Sequence, residues 1–203
     1  MKKLLALLAL VVIALASSGL ARSNGAWVIR MPGGRNVIEF VGQVNNTPTS
    51  SQQFGYLSRI EGLDAVFSST PQNETTALFT FVTNATTDRV IVNGPLKVIN
   101  RSGTTTIYFN SAPSNFSNPA SFSQGTAVQV SSYRQQVILN TTTNSFVTVH
   151  MNEITETEPF TLNGHFYQLG YIGKSFRTAY SGQSNAPGVA PSGWFAGYAV
   201  GVD

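Results

Sequence analysis

Only two histidines occur in the chain, His150 and His165, and any reading of its chemistry starts with them. A histidine-based nucleophilic relay needs a serine on one side of the ring and a carboxylate on the other. No Gly-x-Ser-x-Gly elbow is present to supply that serine. His165 directly follows Asn163-Gly164, where a polar residue is ordinary turn chemistry. His150 is different. It alternates with Phe146, Thr148 and Asn152 on one face of a strand-like run, and Val147, Val149 and Met151 take the other face. If the His150 face points into a closed sheet, His150, Asn152, Thr148 and Tyr133 form a candidate ligand-binding pocket. If it points to solvent, the same residues are a plain wet strand face.

Glu153, Glu156 and Glu158 are the other group with chemical potential. Calcium wants about six to eight oxygen ligands, and no Asp-x-Asp-x-Asp-Gly loop accompanies these acids. A glycosidase needs two carboxylates at a set distance, which spacing in sequence does not establish. A solvated strand end explains them as well. No catalytic residue, metal ligand or cofactor is therefore assigned. The chain has no cysteine, which excludes disulfides, thiolate metal sites, cysteine nucleophiles and a lipid-modified cysteine.

The elements that must hold these residues are strands. Apolar positions after residue 21 mostly alternate, the period of a half-buried strand, and no amphipathic helix stands out. Charged residues are 10% and hydrophobic residues 42% of the 203, with Ser, Thr and Asn filling the polar positions. That composition suits strands with one wet face. Strand runs are expected at Trp27–Met31, Val37–Val44, Phe54–Ile60, Thr76–Thr83 and Tyr171–Tyr180, with a last one at Trp194–Val202. Asn93-Gly94 and Arg101-Ser102-Gly103 read as turns, and Pro159–Leu169 around Asn163-Gly164 as a tight hairpin. From Phe122 to Gly170 two long runs face each other across Asn140–Asn144. The apolar phase switches between Val130 and Val137, which predicts a bulge near Ser131–Gln135.

Many short strands without a fixed repeat predict an all-β domain. Long hairpins with a bulge favour a single antiparallel β-barrel or a strongly curled sheet, of the lipocalin or allene-oxide-cyclase shape, over the alternative β-sandwich. That is analogy of architecture and carries no function.

Lys2-Lys3, the apolar run Leu4 to Leu15 and the small residues up to Ala21 have the three-part pattern of a secretory signal peptide of bacterial look. Residues 1–21 are thus expected to be removed, leaving 22–203 as one all-β domain that is secreted or periplasmic, with no membrane span in the mature chain. That removal leaves ten basic and nine acidic residues, a formal charge of +1, and no case for nucleic acid. The first expectation is an exported, non-catalytic domain that binds a small apolar or sugar-like ligand, a glycan included, or a cell-surface partner. A second is a structural subunit of an extracellular matrix or filament. Its motive is the small-residue face Gly197, Ala199 and Gly201 of the last strand, a route to self-association through the C-terminal strand. A third is a cyclase or isomerase working through a barrel pocket.

Overall fold

The structure is a computed structural model and describes residues 20–23, 25–31 and 33–202. The apolar leader run expected at Leu4 to Leu15 lies outside the described residues. The ordered strands are β1 (Leu20–Ser23), β2 (Ala26–Ile29), β3 (Asn36–Asn46), β4 (Ser50–Ile60), β5 (Phe79–Asn93), β6 (Leu96–Phe109), β7 (Thr126–Asn140), β8 (Ser145–Thr157), β9 (Phe160–Leu162), β10 (His165–Leu169), β11 (Ser175–Ser184) and β12 (Gly193–Gly201). A 3-10 turn at Pro119–Ser123 is the one helical piece among the described residues.

Eight strands close into an antiparallel barrel in the order β11-β12-β3-β4-β5-β6-β7-β8, with β8 returning to β11. Closure leaves no sheet edge over most of its height. The remaining four form a small sheet, β1-β2-β10-β9, in which β2 and β10 run parallel. This second sheet packs against one end of the barrel. Phe160 of β9 sits 5.2 Å from Phe79 and 5.3 Å from Phe109, ring centre to ring centre. Ile29 and Leu169 join the same buried cluster as Phe79, Val128 and Ile154. Gln129 Nε2 donates to the Leu169 carbonyl at 2.8 Å and ties the two sheets together.

The opposite end carries four turns, at 47–49, 94–95, 141–144 and 185–192, between consecutive strands of the barrel. It is the barrel's mouth. The β5–β6 hairpin extends beyond it, because β4 pairs with β5 only as far as Thr86.

Three local expectations change. The Arg101-Ser102-Gly103 turn does not exist: all three lie inside β6, paired with β5 and β7 on either side. Glycine is needed there for close approach, since a Cβ on Gly103 would run into the Asn84 carbonyl of β5. The tight turn after β5 is Gly94-Pro95, flanked by the pair Asn93 and Leu96. The irregularity of the β7–β8 pair falls between Val130 and Ser131, where Thr155 of β8 is left without an opposite residue. From Ser131 onward β7 keeps one phase, so Ser131, Tyr133 and Gln135 point inward together with Val137. The polar stretch between the two apolar phases is interior lining. The Asn163-Gly164 hairpin forms as expected, with both residues at positive φ (52° and 78°).

Candidate functional site

The middle of β8 is polar on the inside (Thr148, His150, Asn152) and apolar on the outside (Val147, Val149, Met151). Phe146, Thr148, His150, Asn152 and Ile154 point into the barrel and are buried, while Val147, Val149 and Met151 are 43–56% exposed. The four candidate residues Tyr133, Thr148, His150 and Asn152 all lie in the interior. They do not line a single space. His150 and Asn152 border one cavity of about 50 Å³, on the side of the small sheet. Thr148 borders another of about 40 Å³, towards the mouth. Tyr133 borders neither; its ring lies flat on His150, with centroids 4.5 Å apart and planes 7° from parallel.

Gln53, Tyr180 and Phe195 form the shared wall between the two cavities. Tyr180 is the centre of the interior. Its hydroxyl donates to Gln53 Oε1 (2.9 Å), accepts from Gln135 Nε2 (2.6 Å) and lies 3.1 Å from His150 Nε2. With its one hydrogen given to Gln53, that oxygen can only accept from His150, which places the imidazole proton on Nε2. Room for the Tyr180 ring comes from β12: a Cβ on Gly197 would collide with the Tyr180 side chain and the Ala179 carbonyl. The small-residue face of the last strand is therefore taken by Tyr180 within the same chain. Both edges of β12 are also taken, by β11 and β3.

Burial shapes the electrostatics of this interior. Desolvation pushes His150 down to about 3, helped by the nearby charge of Arg101. Desolvation also raises the Tyr133 and Tyr180 phenols above their usual value. Each group is thereby held neutral at ordinary pH. Arg101 is the exception. It is only 5% exposed and points inward from β6. Desolvation lowers it, but a guanidinium starts so high that it stays a cation. Nη2 donates to Asn46 Oδ1 at 3.1 Å, and Nε reaches Thr87 Oγ1 at 3.4 Å.

Among the described residues, five buried side-chain atoms have no hydrogen-bond partner: Ser51 Oγ, Ser131 Oγ, Tyr133 OH, Gln135 Oε1 and Thr148 Oγ1. All belong to inward-facing positions of β4, β7 and β8. Thr148 Oγ1 lies near the Tyr180 hydroxyl without the geometry of a hydrogen bond. By contrast, Asn152 is well held, donating to Thr178 Oγ1 (2.9 Å) and the Phe176 carbonyl (3.2 Å). Glu153, Glu156 and His165 lie on exposed surface, and no group of three or more metal-ligating side chains forms among the described residues.

Sequence reasoning missed Arg101, Gln135, Gln53 and Tyr180. Arg101 was hidden by the apparent turn at Gly103, and Gln135 by the apparent bulge. Polar residues at alternate positions of a long strand (Ser131, Tyr133, Gln135) were the available signal.

The chain is thus an all-β protein built on a closed eight-stranded antiparallel barrel with a partly polar interior. No protein-family model matches it, and no curated protein and no solved structure is significantly similar to it.

Proposed function

We propose that this barrel is a non-catalytic binding domain that holds a small ligand in its interior, on the mouth side of Tyr180. The observation that carries the reading is the set of five unpartnered polar atoms aimed inward. An unsatisfied buried polar atom costs about 1–3 kcal/mol. Five of them left bare would cost about as much as the whole stability of an ordinary domain. Gln135 Oε1 and Thr148 Oγ1 border the mouth-side cavity, where a polar group can meet them. Cavities of about 40 and 50 Å³ each hold a few waters, and a small ligand of matching chemistry displaces those waters.

Binding is favoured over turnover by the protonation states. A general base works best with a pKa near the operating pH. Here the His150 imidazole, at about 3, is a poor base, and the two raised phenols are poor acids. These groups are suited to hydrogen bonding at fixed charge. Export of the protein, as its leader pattern suggests, would place this binding site outside the cytoplasm.

The test is a nuclear magnetic resonance screen of the intact protein against a set of small charged and uncharged fragments. Shifts should concentrate on the amides of Gln135, Thr148, His150 and Tyr180. Shifts confined to outward-facing residues such as Val147 and Val149 would overturn the proposal.

One observation favours a second reading, a subunit that assembles. Residues 89–93 of β5 pair only with β6 and present Val90, Ile91 and Val92 at 43–69% exposure on a free edge. Such an edge can accept another strand. A protein that sediments as a monomer at millimolar concentration would rule this reading out.

A further inference from the structure

Among the described residues, Arg101 is a buried cation with no carboxylate partner. The two ion pairs among the described residues, Arg35–Glu61 and Arg59–Glu39, both lie at the surface and do not involve it. Its partners are neutral oxygens, and Nη1 makes no hydrogen bond among the described residues. A charge left uncompensated in a protein interior is unfavourable, so such groups are normally paired. The position is also inside a cavity. Arg101 borders the mouth-side space together with Thr148, whose hydroxyl is a free donor.

Ile99, Val137, Leu139 and Phe146 give that space an apolar wall between Arg101 and the turns of the mouth, beside the polar Asn46, Gln53, Gln135, Tyr180 and Ser184. The wall continues past the rim. Val90 pairs with Ile99 and Val92 with Lys97, and direct partners on an antiparallel ladder share a face. Val90 and Val92 therefore extend the Ile99 face outwards along the protruding hairpin, where they are 43% and 69% exposed.

We infer that the mouth-side cavity takes a singly charged organic anion, a carboxylate with a flexible apolar tail, with its head group on Arg101 and Thr148 and its tail along Ile99, Leu139 and the Val90–Val92 hairpin. This names the ligand class for the binding site proposed above and rests on that reading. The size of the cavity sets the form of the ligand. About 40 Å³ holds the volume of a few waters, enough for a carboxylate and its first methylenes. The remainder of the tail must lie in the mouth, against the exposed valines. A guanidinium presents its donors as a fork that fits a carboxylate on two oxygens, and the free Nη1 keeps that fork available. Doubly charged anions fit poorly, because Arg101 is the one cation that lines the cavity among the described residues.

The test uses octanoate, octan-1-ol and acetate as probes, titrated into the intact protein by calorimetry and by amide chemical shifts. Octanoate should bind at least tenfold more tightly than octanol, and acetate far more weakly than octanoate. Arg101→Met should abolish the preference for octanoate over octanol and still fold, since it replaces a buried charge with an apolar chain of similar length. Arg134→Met, on the outward face of β7, should leave the preference intact. Equal binding of octanoate and octanol would overturn the anion inference while leaving an interior binding site standing. An unchanged preference in Arg101→Met would also overturn it. If no probe and no member of the fragment set shifts interior amides, both the anion inference and the binding proposal fall.

Discussion

Tyr133 and Tyr180 allow one substitution to be made twice with opposite expected signs. Both side chains are buried, at 4% and 5% exposure, and both touch His150. They differ in what the hydroxyl meets. Tyr133 OH has no partner, so Tyr133→Phe deletes a group that costs about 1–3 kcal/mol to bury bare, and keeps the ring stacked 4.5 Å from His150. Allowing for partial relaxation, ligand-free Tyr133→Phe should gain about 1 kcal/mol of stability. Tyr180→Phe strips Gln53, Gln135 and His150 of a shared partner at once. It should lose about 2–4 kcal/mol, because newly orphaned buried groups carry most of the cost. Urea unfolding at neutral pH measures both, provided that the slope of stability on denaturant is unchanged. A loss of more than about 1 kcal/mol in Tyr133→Phe would refute the reasoning. It would mean that its hydroxyl is a satisfied structural group.

Three further outcomes follow from the same interior. His150 is held neutral well below its ordinary pKa of 6.5, so the unfolded chain takes up the proton first as pH falls. Stability should then be complete above 6.5 and drop by about 1.4 kcal/mol per unit as pH falls from there towards 3. Unfolding free energies at pH 6.5 and 5 should therefore differ by about 2 kcal/mol, and His150→Asn should flatten that slope; an equally steep drop in the variant would exclude His150 as its source. Gly197→Ala should destabilise the fold by about 1–3 kcal/mol or fail to accumulate, since its Cβ has no room beside Tyr180 and Ala179. Val147→Thr, 56% exposed on the barrel exterior, should stay within about 0.5 kcal/mol of the parent by thermal unfolding.

The barrel was legible in the sequence because its signals are local and periodic. Long alternating strands, an Asn-Gly hairpin and a phase switch on one strand are all read at short range, and closure follows from twist and bulges. The site was legible only in part. The alternation of β8 places Phe146, Thr148, His150 and Asn152 together, but both of its faces mix apolar and polar character, so which one is inside depends on pairing with β7 and β11. Arg101 was illegible for a definite reason. Arg-Ser-Gly is turn chemistry in isolation, and only the coil of β6 against β5 requires a glycine at Gly103. Tyr180 likewise acquires its role from Gln53, 127 positions away in the chain. The small second sheet was missed because β2 and β10 are parallel neighbours of distant origin, and no hairpin signal announces such a pair.

The departures from local rules are not scattered. A cation without an anion, hydroxyls without partners and a strand with buried polar residues on its inward face fall on β4, β6, β7 and β8 around Tyr180. Elsewhere the chain follows the rules closely, with Phe79, Val128 and Leu169 fully buried beneath the small sheet. The polar side chains buried towards the capped end are satisfied, Gln129 on the Leu169 carbonyl and Thr80 on the Phe122 carbonyl. Natural folds depart from consistent packing mainly at functional sites. The unsatisfied groups on the mouth side of Tyr180 are what the proposed ligand would meet, and Arg101 sets the sign of charge expected of it.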